Sequence, residues 1–368
     1  MNGHVLALAL GGALWMPLAA QVPAPVRPLG KTDFARIDSI FAPYASLDRP
    51  GYAIGIVQRG RLVHARGFGA AIVASRTPIT PRTAFNVASL SKQFTAAAVA
   101  LLIRRGRLSL ADEVRRHIPE FPAYRPPVRV EHLVYMTSGL HEYYSIPRSR
   151  GKDWTDSFDV AEAIRASLAQ PAPLFRPGER WAYSNVNYML LAEIVARVSG
   201  VPFAQFIRRE IFAPLGMRSS LVHDDLSRSI PDRAAGYNRV TGGGWREEVR
   251  RSPHYGGSGV FTTIEDLARW DRSFETHSLG GPALTELLLA TRRFDHPKAN
   301  DAFGLVWGQF RGRRTLWYEG GDLGYSSYMV RLPDDRLTVI VLSNDGAGAA
   351  AAHARRVLDI VVPEAVGR

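Results

Sequence analysis

Ser89-Leu90-Ser91-Lys92 opens the run Ser89-Leu-Ser-Lys-Gln-Phe-Thr-Ala-Ala-Ala-Val-Ala-Leu-Leu102, and its reading decides how the rest of the chain is understood. Phe94, Ala97, Ala98, Leu101 and Leu102 recur at helical spacing and Gly106 suits a C-terminal cap, so the pattern predicts a helix starting at Ser89. A serine and a lysine three residues apart on a helix share a face. A lysine that has shed its proton can take one from a neighbouring hydroxyl and turn serine into a nucleophile. Arginine cannot, because it does not deprotonate in proteins. Lys92 is one of 4 lysines among 46 Lys and Arg. With 24 serines and 4 lysines in 368 residues, chance supplies roughly a quarter of a Ser-x-x-Lys. Alone, the pair reads equally well as a capping serine followed by a solvated lysine.

A second element stands downstream. Tyr183-Ser184-Asn185 follows Phe175-Arg-Pro-Gly-Glu-Arg-Trp181 and precedes a helical pattern from Tyr188 to Val198 that stops at Ser199-Gly200. Tyr183 can relay a proton, and Asn185 can hold a substrate amide or a lysine by hydrogen bonds. The plainer reading is a turn with Asn185 near a helix N-cap. A third element, Trp317-Tyr-Glu-Gly-Gly-Asp-Leu-Gly-Tyr-Ser-Ser327, is a strand interrupted by glycines.

Around these motifs the pattern changes twice. Tyr52–Val57 and Arg61–Phe68, joined by Gln58-Arg59-Gly60, read as a β-hairpin after a short helix from Phe34 to Ala42. From about 108 to 254 the chain reads as helices and loops punctuated by prolines, with helices over Phe158–Leu168 and Phe203–Phe212. A helix over Ile264–Phe274 follows. Strand signals then return at Thr315–Tyr318, Tyr325–Leu332 and Leu337–Leu342, with Pro333-Asp-Asp as a turn and Ala349–Val362 as a closing helix. Strands at both ends and helices between them predict an α/β (α+β) domain. Its antiparallel sheet is built from both chain ends and flanked by helices, with a mainly helical region inserted. The expected layout is a sheet subdomain over about 33–107 and 255–362 and a helical region over about 108–254.

Composition sets bounds. Residues 1–20 carry no Asp, Glu, Lys or Arg, and Val5–Ala20 is an apolar run too short to span a bilayer. It reads as a signal peptide directing the chain to the periplasm or the medium, although Met1-Asn-Gly-His4 lacks the usual cation. Residues 21–32, rich in proline, read as a linker. There is no cysteine, which excludes disulfides and thiolate metal sites. The 10 histidines show no ligand spacing, and His141-Glu142 lacks the second histidine of a zinc helix, so no metal or other cofactor is expected. The net charge of +12 comes from scattered arginines without interleaved aromatics. That pattern argues against nucleic acid as a partner and for a weak attraction to an anionic cell envelope. No Gly-x-Ser-x-Gly elbow of an α/β-hydrolase occurs.

The order Ser-x-x-Lys, Tyr-x-Asn, glycine-flanked C-terminal strand resembles the serine β-lactamase and penicillin-binding protein superfamily. The similarity is closest to its class C β-lactamase-like branch, with esterases, D-aminopeptidases and D-alanyl-D-alanine carboxypeptidases. It extends from about Phe34 to Val362 and includes Val130-Glu-His-Leu-Val-Tyr-Met-Thr-Ser-Gly-Leu140, Gly257-Ser-Gly-Val-Phe-Thr-Thr263 and Val341-Leu-Ser-Asn344. The resemblance implies that Ser89 is acylated. It makes Lys92 the base or a relay with Tyr183, has Tyr183 help activate water, and has Asn185 position substrate and Lys92. It places the oxyanion between the backbone N–H groups of Ser89 and Asp322. Gly320 and Gly321 fit the third motif, but Glu319 stands where the family carries Lys or His. A glutamate there repels a substrate carboxylate and favours a neutral ester or a substrate bearing an amine. The expected partner is therefore a small-molecule or short-peptide acyl substrate. A β-lactamase or D-alanyl-D-alanine carboxypeptidase is the alternative enzyme, and a sensor module without turnover is the alternative of another class.

Overall fold

The structure is a computed structural model and describes residues 26–144, 159–291 and 303–362. The expected signal peptide, residues 1–20, and the linker residues 21–25 lie outside the described residues. The rest of that expected linker is not loose. Val26 is buried and its N–H donates to Asp335, Leu29 N–H donates to Gln58, and helix α1 (Lys31–Phe41) begins inside the segment. A proline-rich composition signals extended backbone, and here that backbone is tied down at Val26 and Leu29 while Arg27 and Pro28 stay exposed.

The main sheet is antiparallel and draws on both chain ends, as its two groups of strand patterns predict. From the N-terminal side come β1 (Tyr52–Gln58) and β2 (Arg61–Phe68). Short strands β3 (Ala70–Ile72), β4 (Thr77–Pro78), β5 (Phe85–Asn86), β6 (Leu221–Val222), β7 (Gly236–Arg239), β8 (Trp245–Glu248) and β9 (Val260–Thr262) lie between. From the C-terminal side come β10 (Val306–Phe310), β11 (Arg313–Asp322), β12 (Tyr325–Leu332) and β13 (Leu337–Ser343). The strand order is β10-β11-β12-β13-β1-β2. β1 and β13 are paired from Tyr52 opposite Ser343 to Gln58 opposite Leu337, and both are buried along their whole length.

Side chains alternate across the pleat, so these strands feed two cores. Tyr52, Ile54, Ile56, Val339 and Val341 pack with Ile37 and Phe41 of α1 and with Val357 and Leu358 of the closing helix. Ala53, Val57, Ile340 and Leu342 face the opposite core, with Ile264, Leu267 and Trp270. Fully burying each Ile, Val or Leu contributes about 1.5–3 kcal/mol, so the register between the two chain ends is held strongly.

The predicted amphipathic helix, α2 (Lys92–Arg104), is buried from Lys92 to Leu102 and not only along its apolar stripe. It is a central helix, and the small side chains of Ala96, Ala97, Ala98 and Ala100 let neighbours approach it from every side. Further helices are α3 (Val160–Leu168), α4 (Asn185–Ser199), α5 (Ile264–Thr276), α6 (Pro282–Leu289) and α7 (Ala350–Val361). α2 packs against α4, so the two regions expected on either side of about residue 108 share an interface. The inserted, mainly helical region also carries short strands. β7 and β8 form a hairpin in it, and β6 and β5 flank β9 in a small three-stranded sheet. The strands β6, β7 and β8 have 2 to 4 residues, too few for a period-2 pattern to register in the sequence.

Candidate active site

Ser89 sits in a single tight turn, Ala88–Ser91, between β5 and α2. The turn is pinned from several sides. Val87 N–H donates to Val260 O at 3.0 Å, Val260 N–H to Ser91 Oγ at 3.0 Å, and Ser327 Oγ to Val87 O at 2.7 Å. Ala88 is held at φ +49°, a left-handed conformation that L-residues avoid. Strain of this kind persists only where surrounding contacts impose it.

Three segments converge on the Ser89 hydroxyl. Its Oγ lies 2.6 Å from the Tyr183 hydroxyl and 3.1 Å from Lys92 Nζ. Lys92 Nζ lies 2.7 Å from the Tyr183 hydroxyl, 2.8 Å from Asn185 Oδ1 and 2.6 Å from Gly257 O. Tyr183 precedes α4 and leaves part of its ring at the surface, while its hydroxyl lies between Ser89 and Lys92. The fold thus brings together Ser89, Lys92, Tyr183 and Asn185, the four residues expected from the first two motifs.

Donor and acceptor counts bound what Lys92 can do. Asn185 Oδ1 and Gly257 O can only accept, so they take two N–H groups of Lys92. A neutral amine has only two and meets the hydroxyls with its lone pair, whereas an ammonium turns its third N–H to them. Lys92 is fully buried, and desolvation lowers it to about 7, with Glu142 and Asp322 pulling the other way. Burial moves Tyr183 in the opposite direction, well above the usual phenol range, so at neutral pH it is a phenol and not a phenolate. Of the two base assignments left open by the sequence, this environment favours Lys92 as the proton acceptor and Tyr183 as the bridge.

Glu142 stands behind this group, and in the sequence it reads only as part of a failed zinc motif. Its Oε2 accepts the Asn185 N–H at 2.5 Å, and burial raises its carboxyl to about 7. Among the neighbouring charges, it does most to hold the Lys92 proton on. Glu142→Gln should therefore release that proton more easily and move the acidic limb of kcat/KM to lower pH. A pH–rate profile checks this, and an unmoved limb contradicts it. Sequence reading misses Gly257 as well, because a backbone carbonyl leaves no mark in residue type.

The third motif forms one wall. Gly320 touches the nucleophile turn so closely that a Cβ there would lie 2.4 Å from Val87 O and 2.9 Å from Ser89 N. Gly320→Ala must push the strand off Ser89. Displacing reacting groups by about 1 Å costs about 100-fold in rate, and overpacking costs about 1–3 kcal/mol of stability. Steady-state kinetics and thermal unfolding of the variant measure both. A Cβ on Gly321 would meet nothing within 4 Å. Glu319 is exposed and lines a lobe of about 520 Å3 with Trp181, Trp317 and Ser89. Asp322 lines a second lobe of about 540 Å3 with Tyr143, Tyr144, Arg250 and Ser89. Ser89 lies where the two lobes meet. Tyr143 and Tyr144 thus reach the cleft, whereas Tyr255 stacks on Phe203 with ring centroids 5.8 Å apart.

Comparison with known proteins agrees with this architecture. The chain is 27% identical over 307 residues to a D-aminopeptidase of Gluconobacter oxydans, covering 83% of this chain and 58% of the relative. It is 31% identical over 310 residues to penicillin-binding protein 4* of Bacillus subtilis, covering 77% of this chain and 66% of the relative. The chain therefore spans less than two thirds of the length of these relatives. The octameric penicillin-binding protein homologue from Pyrococcus abyssi superposes with a TM-score of 0.79 at 26% identity, over 90% of this chain and 77% of that one. The sequence profile named Beta-lactamase matches residues 37–362, and the chain belongs to that family, within the serine β-lactamase and penicillin-binding protein superfamily.

Proposed function

We propose that this protein is a serine hydrolase that works through an acyl-enzyme on Ser89, acting on esters or on peptides and amides of D-amino acids. The observation that carries the reading is the buried Lys92, whose Nζ lies within hydrogen-bond distance of two carbonyl oxygens and of the hydroxyls of Tyr183 and Ser89. In the proposed first step Ser89 Oγ attacks the substrate carbonyl carbon. Its proton passes to the Tyr183 oxygen as the Tyr183 proton passes to Lys92 Nζ. The carbonyl oxygen takes the negative charge and is received by the backbone N–H groups of Ser89 and Asp322. The tetrahedral intermediate then expels the leaving group, which takes the proton back through Lys92 and Tyr183. Water repeats the sequence on the ester, releasing the acid and restoring Ser89.

The similarity to D-aminopeptidases supports a D-amino-acid substrate. The exposed Glu319 on the cleft wall supports a neutral or amine-bearing substrate over a carboxylate. The apolar segment before the domain supports export to the periplasm or the medium. Intact-protein mass spectrometry after exposure to a fluorophosphonate, p-nitrophenyl butyrate, a D-amino-acid anilide and a penicillin tests the reading. A phosphonate adduct together with ester or anilide turnover supports it. A stable penicillin adduct replaces it with a cell-wall peptidase, and no reaction with any reagent replaces it with a sensor module.

A further inference from the structure

Asp322 presents an electrostatic problem. Residues 320 and 322 share a face of β11, because side chains alternate along a strand. Gly320 uses that face to touch the nucleophile turn. The Asp322 side chain therefore stands two residues beyond the closest approach to Ser89, and it lines the same lobe as Ser89. A carboxylate beside the place where a carbonyl oxygen becomes negative opposes the reaction it flanks.

The structure shows how that charge is held. Asp322 Oδ1 accepts the Leu323 N–H at 2.8 Å and pairs with the guanidinium of Arg250, which arrives from the segment after β8. Oδ2 accepts from Asn86 Nδ2 at 3.3 Å. Asn86 Oδ1 in turn accepts the N–H of Ala88 at 2.9 Å, and Ala88 is the left-handed residue immediately before Ser89. The contacts therefore run without a break from Arg250 through Asp322 and Asn86 to the backbone that presents the Ser89 N–H. Asp322 and Asn86 are both largely buried, with the side chains of Asp322 9% and Arg250 24% exposed, so the pair is only partly screened by water.

We propose that Arg250 is a positioning residue of the oxyanion site: it cancels the Asp322 charge beside the developing oxyanion and, through Asn86, holds the Ala88–Ser89 backbone in its strained conformation. The proposal rests on the reading that Ser89 is acylated. It does not make Arg250 an anchor for substrate, although the guanidinium lines the lobe; a neutral substrate should need it as much as a charged one.

A double-mutant cycle on a neutral p-nitrophenyl ester tests this, with Arg250→Ala, Asp322→Asn and the pair measured above the acidic limb of the pH profile. At that pH a change in Lys92 protonation does not enter. Arg250→Ala should lose about 100-fold in kcat with little change in KM, comparable to removing an oxyanion donor. Asp322→Asn should lose less, and the double variant should match Asp322→Asn, because Arg250 is needed only while the carboxylate is present. Arg250→Lys keeps the charge and should retain most of the rate. Thermal unfolding of each variant separates a folding defect from a catalytic one. An Arg250→Ala protein within about threefold of wild type overturns the proposal, the scale of additivity error being that small. A double variant as slow as Arg250→Ala overturns it too, and so does a loss confined to KM, which would mark Arg250 as a substrate anchor. Wild-type protein without ester turnover or phosphonate adduct overturns the underlying hydrolase reading instead, so the two failures are distinct.

Discussion

Ser89→Ala should remove about 10⁵-fold or more of kcat, because truncating a nucleophile costs about as much as dismantling the whole catalytic group. It should also lose the phosphonate adduct. Its fold should survive. The hydroxyl reaches only Tyr183 and Lys92 among the described residues, and both keep other partners: Tyr183 still bonds Lys92 and Asn185, and Lys92 still bonds Asn185 and Gly257. The loss of one such hydrogen bond amounts to about 1 kcal/mol. Kinetics, intact mass and thermal unfolding on one preparation decide the matter. A Ser89→Ala protein that still turns over ester at the wild-type rate removes Ser89 from the mechanism, and with it the assignments of Lys92 and Tyr183. An inactive protein that fails to unfold cooperatively would instead show that the turn is needed for folding.

What can be read beforehand follows from which interactions leave a mark in residue type. The three motifs use side chains for chemistry, so Ser89, Lys92, Tyr183 and Asn185 stand out by identity and order. The central strands are runs of Ile, Val and Leu, and the strand pattern over Tyr325–Leu332 coincides with β12. The rest of the site works through groups that composition conceals. The Gly257 carbonyl, the N–H of Ala88 and the backbone contact at Gly320 carry no side-chain signature. Glu142 and Arg250 are ordinary charged residues until the fold sinks one behind Asn185 and brings the other across 72 positions to Asp322. Long-range pairings of that kind have no local signal. The wall residue Glu319 can be named as a departure from the family pattern, and the structure puts it on the cleft, where its effect on substrate charge can be measured.

Lys92→Met should lose about 10³-fold in kcat, within the usual range for a positioned general base, and Lys92→Arg should do no better, because its charge cannot be shed. The second signature is thermodynamic. Lys92 falls from 10.5 to about 7 on folding, through desolvation. Between those values the unfolded chain holds a proton that the folded chain does not, so stability must rise with pH across that interval. The rise due to this one buried group is about 5 kcal/mol. Below pH 7 both states hold the proton and the contribution is flat. Replacing Lys92 by Met removes the titration. It also takes the Lys92 donor from the Gly257 carbonyl and leaves Asn185 Oδ1 with Tyr183 as its donor, so absolute stability at one pH is a poor test. The informative quantity is the wild-type minus variant difference in unfolding free energy, followed in urea from about pH 6 to about pH 10, the interval over which the two states differ in bound protons. It should climb steadily above pH 7. Glu142 loses the cation that drew its own carboxyl down, and its titration moves upward in the variant. A difference that stops rising once Glu142 has titrated would mean that Lys92 keeps its proton in the folded protein. In that case a charged lysine would use its third N–H on the hydroxyl pair, and the base would have to be sought elsewhere. A rising difference together with an acidic limb near pH 7 would tie loss of the Lys92 proton to both folding and rate.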